Sequence, residues 1–345
     1  MDAVLSPQLD AEEIVTAFKK AAETGEPVDS QWQNLRGVNL LGKDLSGLDF
    51  SGCDFTGAEL SRCNFQNAIC SQAIFDKATL FQAKLDGVEC LGASFQNANL
   101  SECSAKRSGF GRCNVSHAKF VMADLTGATF VNATAHHADF RTSKMAGARF
   151  LEADLSHADF SQADLTEVDL RESNLGGATF SKSNLRAVRL PGVRNYTTAH
   201  WIGADIRDIY FAGAYLVRRH IADENFLDEF RRQSQVHKWI YWFWSLTSDC
   251  GRSMSRWGLF CAVIVIVYGF IFQALGKQIA YPDDLARPFA PWYFSIVNVT
   301  TLGFGDVLPK STLAQILVNS ETILGYLGLG GLLTIMGNMM GRRGE

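Results

Sequence analysis

An apolar residue recurs every five positions from Leu40 to Leu190, through Leu45, Phe50, Phe55, Leu60 and Phe65 and onward, for 31 units without a change of register. Two residues before most of these centres stands a small residue: alanine at Ala58, Ala68, Ala98, Ala123 and Ala128, cysteine at Cys53, Cys63, Cys103 and Cys113. Neither an α-helix nor a flat strand presents one face with a period of five. A coil does. If each unit makes one side, four units close a turn of about 20 residues, and successive turns stack at strand spacing, ~4.8 Å. The large centre fills the interior and the small residue permits close approach beside it. Phe55, Phe75 and Phe95 then form one vertical column, and Phe120, Phe140, Phe160 and Phe180 another. Four centres, Cys70, Cys90, Ala105 and Ala135, are small, which predicts local thinning of the core. A short second series, Ile206, Phe211 and Leu216, is put out of register by an insertion around Pro191–Trp201 and adds most of one turn.

The unit is written ADLTG at 123–127 and ADFSQ at 158–162. Over nearly half the chain it resembles the pentapeptide-repeat family, with its pattern A-(D/N)-L-x-x. The resemblance implies a right-handed quadrilateral β-solenoid, assigned to residues 35–216. Residues 1–34, with a helix over roughly Ala11–Glu23, form an N-terminal helical cap that shields the open end from edge pairing. Some members of that family imitate DNA by their acidity. Residues 36–190 here hold 17 Asp and Glu against 16 Lys and Arg, so no nucleic-acid partner is expected. Six of the eight cysteines fall on inward slots and read as small buried apolar side chains rather than metal or redox groups. On the outer face His117, His137 and His157 each follow their centre by two residues, with His136 adjacent. This column is either a solvated polar ladder or a candidate sensor of protons or metal.

The mean hydropathy of zero conceals a second, unlike part. Trp257–Leu275 is uncharged and spans ~28 Å as a helix, about one bilayer core. Leu313–Gly337 is a second apolar stretch, interrupted by Gln315, Asn319, Glu321 and Thr334. Arg218, Arg219, Arg231, Arg232, Lys238, Arg252 and Arg256 precede the first span, Arg342 and Arg343 follow the second, and the connection carries Asp283 and Asp284. The two spans predict an integral membrane protein, and the excess of cations on both flanks predicts that both termini are cytoplasmic; the bacterial inner (plasma) membrane is the expected location. No secretory signal is expected, since the first 30 residues contain no apolar run. Residues 217–256 read as a linker ending in an interfacial slide helix rather than a simple tether, because the Trp/Tyr/Phe cluster at 239–244 lies close to Arg252 and Arg256.

Between the spans, Pro288 and Pro291 precede an apolar stretch, Trp292–Thr300, and then TTLGFGD at 300–306. Irregular backbone at membrane depth is tolerated only inside protein or along an aqueous path. Glycines let dihedral signs alternate so that successive carbonyls face one axis. Four chains around that axis would surround a dehydrated cation with oxygens. Span, short helix, TTLGFGD and span together resemble the two-span pore-loop potassium channels, with their T-x-G-(Y/F)-G-D signature, over roughly Trp257–Arg343.

The resemblance implies an α-helical, two-span tetrameric pore domain at 257–345, with span 257–275, pore helix 291–300, filter 301–306 and span 312–340. It implies ion-binding carbonyls at Thr301, Leu302, Gly303, Phe304 and Gly305, with potassium the permeant ligand and no cofactor. Filter support falls to Tyr293, Thr300 and Asp306, with Tyr293 paired to Asp306, and the gating hinge to Gly325. Leu302 stands where Val is commoner and Phe304 where Tyr is commoner, which bears on selectivity and filter rigidity. Glu321, an acid within a span, is a functional candidate. It either bonds near the filter with Asn298, faces a neighbouring subunit, or lies near the aqueous boundary. No nucleophile–base pattern stands out, so an enzyme is not expected. The expected function is a homotetrameric potassium channel in contact with membrane lipids. Its cytosolic repeats regulate gating or bind an unknown cytosolic protein or ligand. The alternatives are a weakly selective cation channel, or a membrane-anchored interaction scaffold with a vestigial pore.

Overall fold

Every amide of a typical five-residue unit has a partner, and this accounting builds the first half of the molecule. The structure, a computed structural model, describes residues 10–26, 28–209, 213–282, 285 and 288–341, with side chains as far as residue 337. Phe211, Asp283, Asp284, Arg342 and Arg343 lie outside the described residues. The centre amide donates to the next coil, as Phe55 to Ile74 O at 2.7 Å, and so does the amide two residues later, as Gly57 to Asp76 O at 2.8 Å. The amide before the centre donates back to the previous coil, as Asp54 to Gln33 O at 2.7 Å, and the small residue closes the turn, as Ala58 to Phe55 O at 2.9 Å. The remaining amide, one after the centre, bonds the Asp or Asn side chain before the centre. Thr126 N reaches Asp124 Oδ1 at 3.2 Å and Ser161 N reaches Asp159 Oδ1 at 2.9 Å. That bond is the physical reason for the acidic or amide residue in the repeat. The residue two after the centre adopts a left-handed backbone, and non-glycine residues hold it too, from φ 53° at Ala187 to 61° at Gln162.

Parallel bridges join residues 20 apart, from Asn34 with Asp54 to Asn174 with Arg194, so four units make one turn. The centres are buried from Leu35 to Leu190. Phe55, Phe75 and Phe95 stack at 5.0 and 4.8 Å between centroids. Phe120, Phe140, Phe160 and Phe180 stack at 5.0, 4.9 and 5.1 Å. A third column, Phe110, Phe130 and Phe150, runs beside them. The small centres Cys70, Cys90, Ala105 and Ala135 are all buried. Cys70 shares its turn with Phe55 and Phe65, Ala105 with Phe95 and Phe110, and Ala135 with Phe140 and Phe150. The six inward cysteines are free and buried, and burial pushes the Cys63 thiol up to about 11 and the Cys53 thiol up to about 12.

Helix α1 (Ala11–Thr24), capped by Asp10, closes the first end of the coil as expected. Its Ile14, Val15 and Phe18 are buried, Phe18 lies 4.4 Å from Phe50, and Glu12 pairs with Lys43. At the far end the expected insertion shifts the register. One extra residue, absorbed by left-handed Asn195 and the turn Tyr196–Thr198, lengthens the bridge spacing to 21, as in Thr179 with His200 and Asn184 with Asp205. Trp201 therefore takes the centre slot and stacks on Phe180 at 4.4 Å. Leu216 is not a repeat centre: it lies on helix α2 (Tyr215–Arg232) and is 61% exposed. Nor is this first part of 217–256 a slide helix. Val217 and Ile221 are buried in the solenoid core, Glu224 accepts from Trp201 N at 3.2 Å, and Asn225 Oδ1 accepts from Gly203 N at 2.6 Å. These side chains take the amides that a further coil would have bonded.

A second compact unit begins at Glu229. Helix α3 (Gln235–Ser248) carries the aromatic cluster, with Trp239, Trp242 and Phe243 exposed. A turn through left-handed Asp249 and Cys250 leads to α4 (Met254–Leu275), which begins three residues before the expected span. The short strand β1 (Ile279–Ala280), helix α5 (Ala290–Val299), strand β2 (Leu308–Pro309) and α6 (Thr312–Gly341) complete the unit. β1 and β2 pair antiparallel and bracket the loop between them, with Ile279 opposite Pro309. Two stretches, Met254–Gln278 and Thr312–Gly337, are long and apolar enough to cross a membrane.

Candidate functional site: the pore loop

Helix α5 enters the site with Pro291 in its first turn, where the missing amide costs nothing. It packs against α4 through Phe294 and Phe272, whose rings lie 5.0 Å apart. Thr300 ends it: its amide bonds Ile296 O at 2.9 Å and its hydroxyl bonds the same carbonyl at 2.6 Å. The chain then turns out of the helix while still tied to it, since Thr301 N donates to Asn298 O at 3.1 Å and Leu302 N to Val297 O at 3.0 Å. Thr301, Gly303 and Gly305 have φ of 57°, 55° and 75°, whereas Leu302 and Phe304 do not enter the left-handed region. The dihedral sign therefore alternates along the loop. The Leu302 and Phe304 side chains are exposed. Past the loop, Asp306 Oδ2 accepts from the Tyr293 hydroxyl at 2.7 Å, joining the start of α5 to the far side of the loop.

Two residues behind the loop belong to α6. Gly325 faces the end of α5 so closely that a Cβ there would lie 2.8 Å from Val299 Cα and closer still to its carbonyl oxygen. The close approach, as well as any bending, demands glycine at this position. Glu321 is wholly buried. Its Oε2 accepts from Asn298 Nδ2 at 3.0 Å, and its Oε1 lies against the Ser295 hydroxyl, which also sits 3.0 Å from Val265 O. Of the three placements open to Glu321, the structure supports the contact with Asn298. Ser295 was not singled out from the sequence. Its signal is that it and Asn298 form a polar pair three apart in the otherwise apolar helix APWYFSIVNV. Nearer the other end of the spans, Trp257 Nε1 donates to Gly328 O at 2.8 Å, and the Trp257 ring lies over Gly331.

Comparison with known families agrees with both halves. The model described as Ion channel matches residues 257–342, and the model described as Pentapeptide repeats matches eight copies over 34–67, 73–108, 110–147 and 148–186. The chain joins pentapeptide repeats to a two-span, pore-type ion channel domain.

Among solved structures, this pentapeptide-repeat channel chain is similar to HetL of the cyanobacterium Nostoc sp. strain PCC 7120, a pentapeptide repeat protein involved in heterocyst differentiation regulation. The two are 23% identical over 51% of this chain and 90% of that one, with a TM-score of 0.28. It is also similar to QnrB1, a plasmid-mediated fluoroquinolone resistance protein, at 17% identity over 55% of this chain and 99% of that one, with a TM-score of 0.20. A pentapeptide repeat protein of the Arabidopsis thaliana thylakoid lumen is 26% identical over 40% of this chain and 71% of that one, with a TM-score of 0.19. No curated protein sequence gives a significant match.

The histidine column lies on the repeat part. His117, His137 and His157 occupy left-handed positions and stack at 5.1 and 4.8 Å. Gly177 follows in the column, and a Cβ there would meet the His157 ring. His136 instead turns to Asp154, 3.2 Å away. Loss of hydration, then repulsion from His157, His117 and His136, holds the His137 imidazole below its ordinary value. Among the described residues no group of three or more His, Cys, Asp or Glu is arranged to hold a metal.

Proposed function

We propose that the channel domain assembles as a homotetramer around the 300–306 loop and conducts potassium selectively and passively across the bacterial inner membrane, with both termini cytoplasmic. The observation that carries this reading is the alternating backbone at Thr301, Gly303 and Gly305. Alternation turns successive carbonyls to one side, so four loops about an axis would offer a dehydrated cation layers of oxygens in place of water. In this reading the carbonyls of Thr301, Leu302, Gly303 and Phe304 hold potassium, Gly305 ends the row, and the Thr301 hydroxyl completes the innermost layer. The negative end of α5 points toward the ion path. The Tyr293–Asp306 bond and the Thr300 turn keep the loop from collapsing. Gly325 is the hinge of α6, and its contact with Val299 couples a bend there to the base of the loop. The repeats form a right-handed, four-sided coil, consistent with four units per bridge interval. That coil regulates the pore by binding a cytosolic protein or ligand, or a second coil, and the exposed aromatic face of α3 rests at the lipid headgroups.

The test is ion flux into liposomes reconstituted with the full chain, with reversal potentials in potassium and sodium gradients. Potassium flux that Gly303→Ala abolishes supports the proposal, because a side chain at φ 55° is strained. Equal sodium flux establishes the weakly selective channel instead. A tetramer without flux establishes the anchored scaffold, and a monomer overturns the assembly.

A further inference from the structure

The hydrogen bonds around Glu321 do not balance if its carboxyl group is ionised. Ser295 Oγ has two acceptors within reach, Glu321 Oε1 and, at 3.0 Å, Val265 O, but a hydroxyl has one proton to give. If that proton goes to a carboxylate, Oγ meets the Val265 carbonyl lone pair to lone pair. If it goes to Val265, Oγ meets the carboxylate the same way. A proton on Oε1 resolves both contacts. Oε1–H donates to Ser295 Oγ, Ser295 donates to Val265 O, and Asn298 donates to Oε2 at 3.0 Å.

Charge points the same way. Glu321 is wholly buried. Residues 257–275, 290–299 and 312–341, the apolar parts of the three helices around it, contain no Lys, Arg or His, and Glu321 is their sole acid. Their other titratable side chains are Cys261, Tyr268, Tyr293 and Tyr326, none of which becomes a cation. A neighbouring copy of the same helices would bring no counter-ion either. A buried carboxylate without a cation is strongly disfavoured, and a retained proton avoids that penalty.

We propose that Glu321 is held as the neutral acid in the folded channel domain. It acts as a positioning residue, a donor that ties α6 to α5 and, through Ser295, α5 to α4. Its consequence for the filter rests on the function proposed above, whereas the proton itself is read independently of conduction.

The test is infrared spectroscopy of the full chain in lipid bilayers at neutral pH, as a difference between wild type and Glu321→Gln. The expected result is loss of the carbonyl stretch of an un-ionised carboxylic acid. Loss of carboxylate bands alone overturns the proposal. Ser295→Ala supplies a second reading: removing the acceptor shifts the acid band, and an unshifted or absent acid band overturns the assignment. The thermal midpoint adds a further check, because glutamine reproduces the donor and acceptor of a neutral acid. Glu321→Gln is expected to stay near wild type while Glu321→Ala falls, and an equal fall in both overturns the proposal. If the wild type conducts no potassium yet shows the band, the channel reading fails and this one stands.

Discussion

Gly325→Ala tests the contact on which the base of the loop depends. The added Cβ would lie 2.8 Å from Val299 Cα and 2.9 Å from Val299 C, both backbone atoms. Carbon atoms in ordinary contact are ~3.5–4.0 Å apart, so α5 and α6 must separate by about 1 Å. No flexible side chain can absorb the shift, because the atoms met are backbone, and Val299 is the last residue of α5, two residues before Thr301. Overpacking of this kind costs ~1–3 kcal/mol, equivalent to roughly 5–150-fold in the population of the native arrangement. Gly330 is the control, since a Cβ there meets nothing within 4 Å. Gly330→Ala gains helix propensity of up to about 1 kcal/mol. The assays are the thermal midpoint of the purified protein and potassium flux from liposomes, with the potassium-to-sodium ratio. Gly325→Ala should lower all three, and Gly330→Ala should leave the midpoint unchanged or raised. Wild-type midpoint and flux in Gly325→Ala would refute the reasoning, because the glycine would then not be required by close approach.

Phe140→Ala removes a buried ring stacked between Phe120 and Phe160 and should destabilise the solenoid by ~3–5 kcal/mol in denaturant titration. Tyr293→Phe deletes the bond to Asp306 while keeping the ring, and should speed loss of conduction during sustained flux, with folding little changed. The Arg171 hydrogen bond holds the Asp169 carboxyl below its usual range, as Arg207 does for Asp205 and Ser46 for Asp44. Their stabilisation is full above the unfolded value, ~3.9, and is lost as pH falls below it through the depressed folded values. Asp169→Asn should therefore flatten the acid limb of the stability curve. His137 has the opposite charge and is also depressed, so its penalty enters as pH falls through the unfolded value, ~6.5. His137→Asn, which keeps a residue tolerant of the left-handed backbone, should reduce acid sensitivity in that range.

The middle of the solenoid was legible because one period governs sequence, hydrogen bonding and packing together. Both phenylalanine columns follow from positions 20 apart. At its far end the register shift was legible as well, but the centre at Trp201 and the place of Leu216 on a helix were not, because the inserted residue near Asn195 moves the slot and no repeat pattern marks where the coil stops. Residues 217–256 read as a linker and slide helix, yet Glu224 and Asn225 close the coil through contacts that only the tertiary fold creates. In the channel domain the helices lie close to their expected bounds, with α5 at Ala290–Val299 against 291–300. The Tyr293–Asp306 pair also follows from the resemblance. The contact of Gly325 with Val299 and the part played by Ser295 were hidden, since helix packing decides both and neither carries a motif.

Because each unit meets its own amide requirements and bonds only the coils directly above and below, the length of the repeat part is quantised. Inserting or deleting one complete circuit keeps every column in register, so that each centre still lies over a centre. A lone added residue, as at Asn195, rotates all that follows by a fraction of a circuit, and the chain accepts it only where few circuits remain to be misaligned. Lineages of such chains should therefore differ in length by whole circuits through the middle and by odd residues only at the ends.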